Sequence, residues 1–93
     1  MGKFELVEEF GYNNQSIRLK KLETLPDCYS PIKRFFGIWR NFTLYTSICR
    51  GHSIVVYKGT KKRWLCSDVT NIEKISENLF RVTTFTSIYL IKI

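Results

Sequence analysis

Apolar and polar side chains alternate along much of this chain with a period of two, and that pattern predicts strands. Residues 16–22 set Ile17 and Leu19 against Arg18 and Lys20, as a strand with one buried face requires. Residues 42–49 repeat the pattern, with Phe42, Leu44, Thr46 and Ile48 on one face and Thr43, Tyr45, Ser47 and Cys49 on the other. Ile54-Val55-Val56-Tyr57 is an unbroken apolar run fit for a central strand. Two more strands, residues 79–84 and 88–93, meet at Phe85-Thr86-Ser87. Turn chemistry separates these runs: Gly11-Tyr12-Asn13-Asn14-Gln15, Arg50-Gly51-His52, and Lys58-Gly59-Thr60-Lys61, which folds the chain back onto Arg63-Trp64-Leu65-Cys66.

Two stretches carry both periods. In residues 3–10, Phe4, Leu6 and Phe10 share a strand face, while Phe4, Val7 and Phe10 sit at helical spacing. The turn at residues 11–15 favours the strand. It predicts an N-terminal hairpin in which Glu5, Glu8 and Glu9 face Arg18, Lys20 and Lys21, opposite charges contributing roughly a few tenths of a kcal/mol per pair. In residues 68–77, Val69, Ile72 and Ile75 recur every third position. The density of β-branched residues and the Glu77-Asn78 turn favour a bulged strand over a helical turn.

Residues 24–27 read as a link, because Pro26 lacks the donor a central strand needs. Ser30-Pro31 resembles a helix start, with Ser30 as cap and a single turn running to Gly37. A twisted strand over residues 35–39 competes with it. The expectation is a mainly β domain spanning residues 1–93. Its six or seven short strands would form an antiparallel meander closed as a small barrel, SH3-like or OB-like, with room for one short helix near residues 30–36.

Composition agrees. Alanine is absent, 44% of the residues are hydrophobic and 15% are aromatic, enough for a core in a chain of 93. The first ten residues, MGKFELVEEF, are acidic and have no long apolar run, so neither a leader nor a membrane span is expected and a cytoplasmic location is. Leu6 stands where an acylation signal needs Ser or Thr. Cys28, Cys49 and Cys66 are an odd set without a CxxC pair, which points to buried thiols rather than a disulfide frame or a zinc site. The sequon Asn41-Phe42-Thr43 carries little meaning without a secretory signal. No cofactor motif is present.

Charge changes the picture more. The forty residues 28–67 contain no Asp or Glu, yet hold eight of the fifteen Lys and Arg residues, both tryptophans and the single histidine. The remaining seven basic and eight acidic residues nearly cancel, so the net +7 resides in this block. A charged hairpin tip at Lys58, Lys61, Lys62 and Arg63 is by itself an ordinary way to keep a strand edge soluble. Joined by Lys33, Arg34, Arg40 and Arg50 with no acid between them, it points to a surface for an anionic partner. Trp39 and Trp64 each adjoin an arginine and are expected to stay partly exposed; Tyr57 completes the candidate set. Arg and Trp are enriched where proteins meet, and rings beside cations also stack unpaired bases.

Catalytic chemistry is weakly marked. His52 lies in a turn three residues after Cys49, and a Cys–His pair also needs an orienting group and an oxyanion donor that nothing here supplies. A metal-independent ribonuclease built on His52, Tyr57, Lys61 and Arg63 is the enzymatic alternative. The acidic residues are scattered, without the carboxylate pair of glycoside hydrolysis.

The segments Lys62-Arg63-Trp64-Leu65-Cys66-Ser67-Asp68-Val69 and Thr84-Phe85-Thr86-Ser87-Ile88-Tyr89 resemble a pattern in small β-barrel proteins of phages and mobile elements, of the anti-defence, anti-CRISPR-like type. A small residue and Ser precede a strand there, and a Thr-x-x-Ser-x-Tyr hairpin ends the chain; Cys66 stands where that pattern usually has Thr. The resemblance covers about a third of the sequence. It implies a non-enzymatic inhibitor that binds host machinery. The partner would be an acidic host protein or ribonucleoprotein complex, with direct binding of single-stranded nucleic acid as the alternative.

Overall fold

The computed structural model describes residues 4–24, 37–65 and 67–93, so the expected helix near residues 30–36 lies outside the described residues. Every regular element among them is a strand: β1 (Glu5–Leu6), β2 (Glu9–Phe10), β3 (Ser16–Thr24), β4 (Arg40–Leu44), β5 (Ile48–Cys49), β6 (Val55–Lys58), β7 (Lys61–Trp64), β8 (Val69–Ser76), β9 (Leu79–Thr84) and β10 (Ser87–Lys92). The fold is mainly β. Eight strands form one antiparallel sheet in the order β1-β8-β9-β10-β3-β4-β6-β7, and β2 pairs with β5 apart from it.

The sheet curls until its two halves meet. Val7 N donates to Ile72 O at 3.0 Å and Arg50 N to Glu8 O at 3.0 Å; Gly51 N and Val69 N donate to Val69 O and His52 O at 2.9 and 3.0 Å. These bonds hold the segment between β1 and β2, and the turn after β5, against β8. Inward side chains from both halves therefore share one core, in which Leu44, Ile54, Ile72, Val82 and Ile91 have no exposed surface. Phe10 and Phe80 stack within it at 3.8 Å between ring centres, tying β2 to β9.

The N-terminal hairpin does not form. Glu5 and Leu6 pair with Lys74 and Glu73 of β8, Glu9 pairs with Cys49, and β3 lies between β10 and β4. The cause is in the turn. Gly11 takes a left-handed φ of +84° and Asn14 one of +68°. The loop then bonds to β4, Asn14 N donating to Leu44 O at 2.8 Å and Leu44 N to Gln15 O at 2.9 Å. Turn residues that suit a hairpin are used here to send the chain across the sheet instead.

The expected continuous strand over residues 42–49 is also divided. It bends at Tyr45 and Thr46, leaving β4 in the large sheet and β5 against β2. The triplet spacing in β8 has the bulged-strand explanation: register shifts between Val69 and Asn71, and again between Lys74 and Ser76. Each extra residue resets the inward phase, so Val69 and Ile72 are both buried. At the β9–β10 turn, the Thr84 hydroxyl accepts from Ser87 N at 3.0 Å and donates to Ser87 O at 3.1 Å. The Thr84 and Ser87 positions of the terminal motif thus close a buried turn.

Candidate anion-docking interface

β6 and β7 form a ribbon whose loop has two residues, Gly59 and Thr60, between the paired Lys58 and Lys61. Gly59 has a φ of +65°, and glycine with positive φ at the first loop position is what a type II′ hairpin needs. The register sets Val55 opposite Trp64, Val56 opposite Arg63 and Tyr57 opposite Lys62. Side chains alternate, so Tyr57, Lys62 and Trp64 share one face, while Lys58, Lys61 and Arg63 share the other with Val56. Val56 reaches the core; all of β7 is exposed.

The first face is a cluster of rings with a cation over them. Tyr45 meets Tyr57 edge-on at 5.3 Å, and Lys62 Nζ lies 4.7 Å from the centre of the Tyr45 ring and 5.7 Å from that of Trp64. Such contacts hold an exposed ammonium in place without neutralising it, for about 0.5–1 kcal/mol. Trp64 keeps 63% of its surface exposed. On the second face, Lys58 and Lys61 stand directly opposite each other. Like charges in that relation are destabilising.

The ring face continues across β4 into β3. Thr43 pairs with both Tyr57 and Ser16, and Arg18 pairs with both Asn41 and Lys92. Between them lies an open groove of about 560 Å³, lined by Arg18, Lys92, Asn41, Thr43 and Tyr57 with Phe42 and the chain end Ile93. No Asp or Glu side chain lines it. Arg18 and Lys92 escape a search for an acid-free block because they fall outside it; the alternation in β3, which faces Arg18 away from Ile17, is the signal that finds Arg18.

The remaining candidates divide. Trp39, 38% exposed, lies under Lys20 Nζ at 4.9 Å, so both tryptophans are partly exposed as expected. Arg40 is exposed opposite Leu19. Arg50 is not part of the ribbon: its Nη1 is 2.9 Å from Glu8 Oε1 and its Nε donates to Thr70 O, at the seam. Lys33 and Arg34 lie outside the described residues. Lys58, Lys61, Lys62 and Arg63 make no ion pair with any described carboxylate; Glu8 is engaged by Arg50, Glu9 by the Ser47 hydroxyl, Asp68 by the Ser53 hydroxyl and Glu77 by Lys74.

The four groups of the ribonuclease alternative do not share a face, since Tyr57 points away from Lys61 and Arg63, and His52 sits exposed in the 50–52 turn. Among the described residues no three His, Cys, Asp or Glu side chains gather as a metal site, and no helix is long and apolar enough to cross a membrane. Comparison with protein families, curated proteins and solved structures found no match to the chain.

Proposed function

We propose that this chain is a non-enzymatic binding protein that docks the β6–β7 ribbon onto an acidic host target, of the kind an inhibitor of a nucleic-acid-handling defence complex would engage. One observation supports this reading above the others. The ribbon carries four cations on two adjacent strands, and none of them pairs with a described carboxylate. An exposed cluster of one sign repels itself and raises the local concentration of anions. Exposed Trp64 beside it adds the apolar anchor typical of protein contacts.

Binding of single-stranded nucleic acid is the second reading. The groove carrying Arg18 and Lys92 beside the Tyr57 ring favours it, because a cationic track with flanking rings is how such strands are held.

The test is capture from host lysate before and after nuclease treatment, with the double variant Lys61→Glu/Arg63→Glu as control. Nuclease-resistant capture that the double variant loses supports the acidic protein target. Nuclease-sensitive capture, matched by salt-dependent binding of a naked oligonucleotide, favours the second reading. Undiminished capture by the double variant removes the ribbon from both.

A further inference from the structure

The end of a sheet offers backbone as well as side chains, and β7 is an end: among the described residues its only neighbour is β6. The two-residue loop fixes which backbone groups are in use. Residues flanking such a loop are a hydrogen-bonded pair, so Lys61 bonds to Lys58. The bonded phase recurs at Arg63 with Val56, and at Leu65, whose N donates to Ile54 O at 2.9 Å. The N–H and C=O groups of Lys62 and Trp64 therefore point away from β6, towards the open edge.

We propose that β7 takes up an extended acidic segment of a protein partner as an added strand, hydrogen-bonded through the main chain of Lys62 and Trp64. This rests on the docking reading above and specifies how the partner is held. Strand addition draws its affinity from the main chain and its selectivity from alternating side chains. A strand laid along β7 sets one set of side chains beside Lys61 and Arg63 and the other beside Lys62 and Trp64. The complementary segment carries Glu or Asp on both faces and an apolar residue near Trp64.

The edge also selects against other occupants. A second copy of β7 would bring lysines and arginines together across the new pair, which is unfavourable. The opposite end of the sheet, β1, is two residues long with one acidic side chain, Glu5. It is too short to cover the edge.

The probe is a synthetic ten-residue peptide with Glu on both strand faces and a Val placed to lie near Trp64, titrated into the isotopically labelled protein, with an N-methylated version of the peptide and a single-stranded oligonucleotide in parallel. The expected result is that exchange of the Lys62 and Trp64 amides slows at least tenfold with the peptide, while the already bonded Lys61 and Arg63 amides change little. Lys62→Pro, which deletes an outward donor that β6 does not use, should weaken the peptide more than tenfold. Lys62→Thr, which removes only the charge, should cost threefold or less.

Peptide binding without protection of those two amides, or equal losses from both variants, overturns strand addition and leaves the docking surface standing. Concentration-dependent self-association that protects the same amides overturns it in favour of a second copy. Binding of the oligonucleotide alone overturns it in favour of the nucleic-acid reading. Failure of every anionic probe overturns the docking surface itself.

Discussion

Lys21 and Tyr89 face one another across β3 and β10, the lysine with none of its surface exposed and the tyrosine with 4%. The strict alternation of β3 places residue 21 on the same inward face as Ile17 and Leu19. A cation at an inward position is expensive to desolvate, and that cost sets the ammonium apart from the apolar stem that carries it. Lys21→Met drops the charge but keeps most of the stem's volume, so its melting temperature should stay closer to that of the parent than the Lys21→Ala variant's does. Lys21→Ala removes the stem too and should cost about 2–4 kcal/mol by opening a cavity. Thermal denaturation of both variants checks this; a Met variant as unstable as the Ala variant would mean the ammonium itself holds the strands.

Cys49 yields a pH dependence. Partial burial first, and the carboxylate of its cross-strand neighbour Glu9 second, push its thiol above the ordinary value of 9.0. The native state thus favours the protonated thiol. That contribution is fully present below the unfolded thiol's value and is lost as pH rises through the higher folded one. Stability of the parent should decline above about pH 9 by an increment that Cys49→Ala lacks. Alkylation of the Cys49 peptide, followed by mass spectrometry at pH 8, should be slower in folded than in urea-unfolded protein.

The acid-free block and the hairpin turn at Gly59 were legible because both are local: charge is counted along the chain, and a two-residue loop fixes its own register. The strands of the 79–93 hairpin were legible for the same reason. Partner choice over distance was not. Nothing local to residues 5–10 shows that they join β8 and β5, because two-residue strands carry no period of their own. Arg50 looked like part of the cationic surface until the seam brought Glu8 beside it, from 42 positions away in sequence. Lys21 was obscured by its own chemistry: the alternation assigned it inward while its charge argued outward, and packing prevailed.

Gly11 should not tolerate a side chain. Its φ of +84° disfavours any L-residue, and an added Cβ would lie 2.8 Å from Leu44 Cδ1 in the core. Gly11→Ala should therefore destabilise the fold by about 1–3 kcal/mol. Chemical denaturation measures the loss. Gly59→Ala, where a Cβ meets nothing within 4 Å, should lose only the backbone part of that penalty, about 1 kcal/mol.

Position, and not net charge, should govern partner capture. Arg63→Gln and Arg50→Gln each remove one positive charge from the molecule, so their effects on overall electrostatic attraction are alike at long range. They differ in what lies beside the guanidinium. Arg63 is exposed on a strand with no described carboxylate partner, whereas Arg50 is held by Glu8 at the seam. If the ribbon docks the partner, Arg63→Gln should weaken capture of an acidic peptide by about fivefold or more at physiological salt, on the scale of a lost charge-assisted contact. Arg50→Gln should stay within about twofold and should cost less than about 1 kcal/mol in stability, as exposed ion pairs do. Equilibrium titration of both variants at two salt concentrations decides the point. Equal weakening that vanishes together at high salt would mean that diffuse charge, with no defined ribbon contact, attracts the partner.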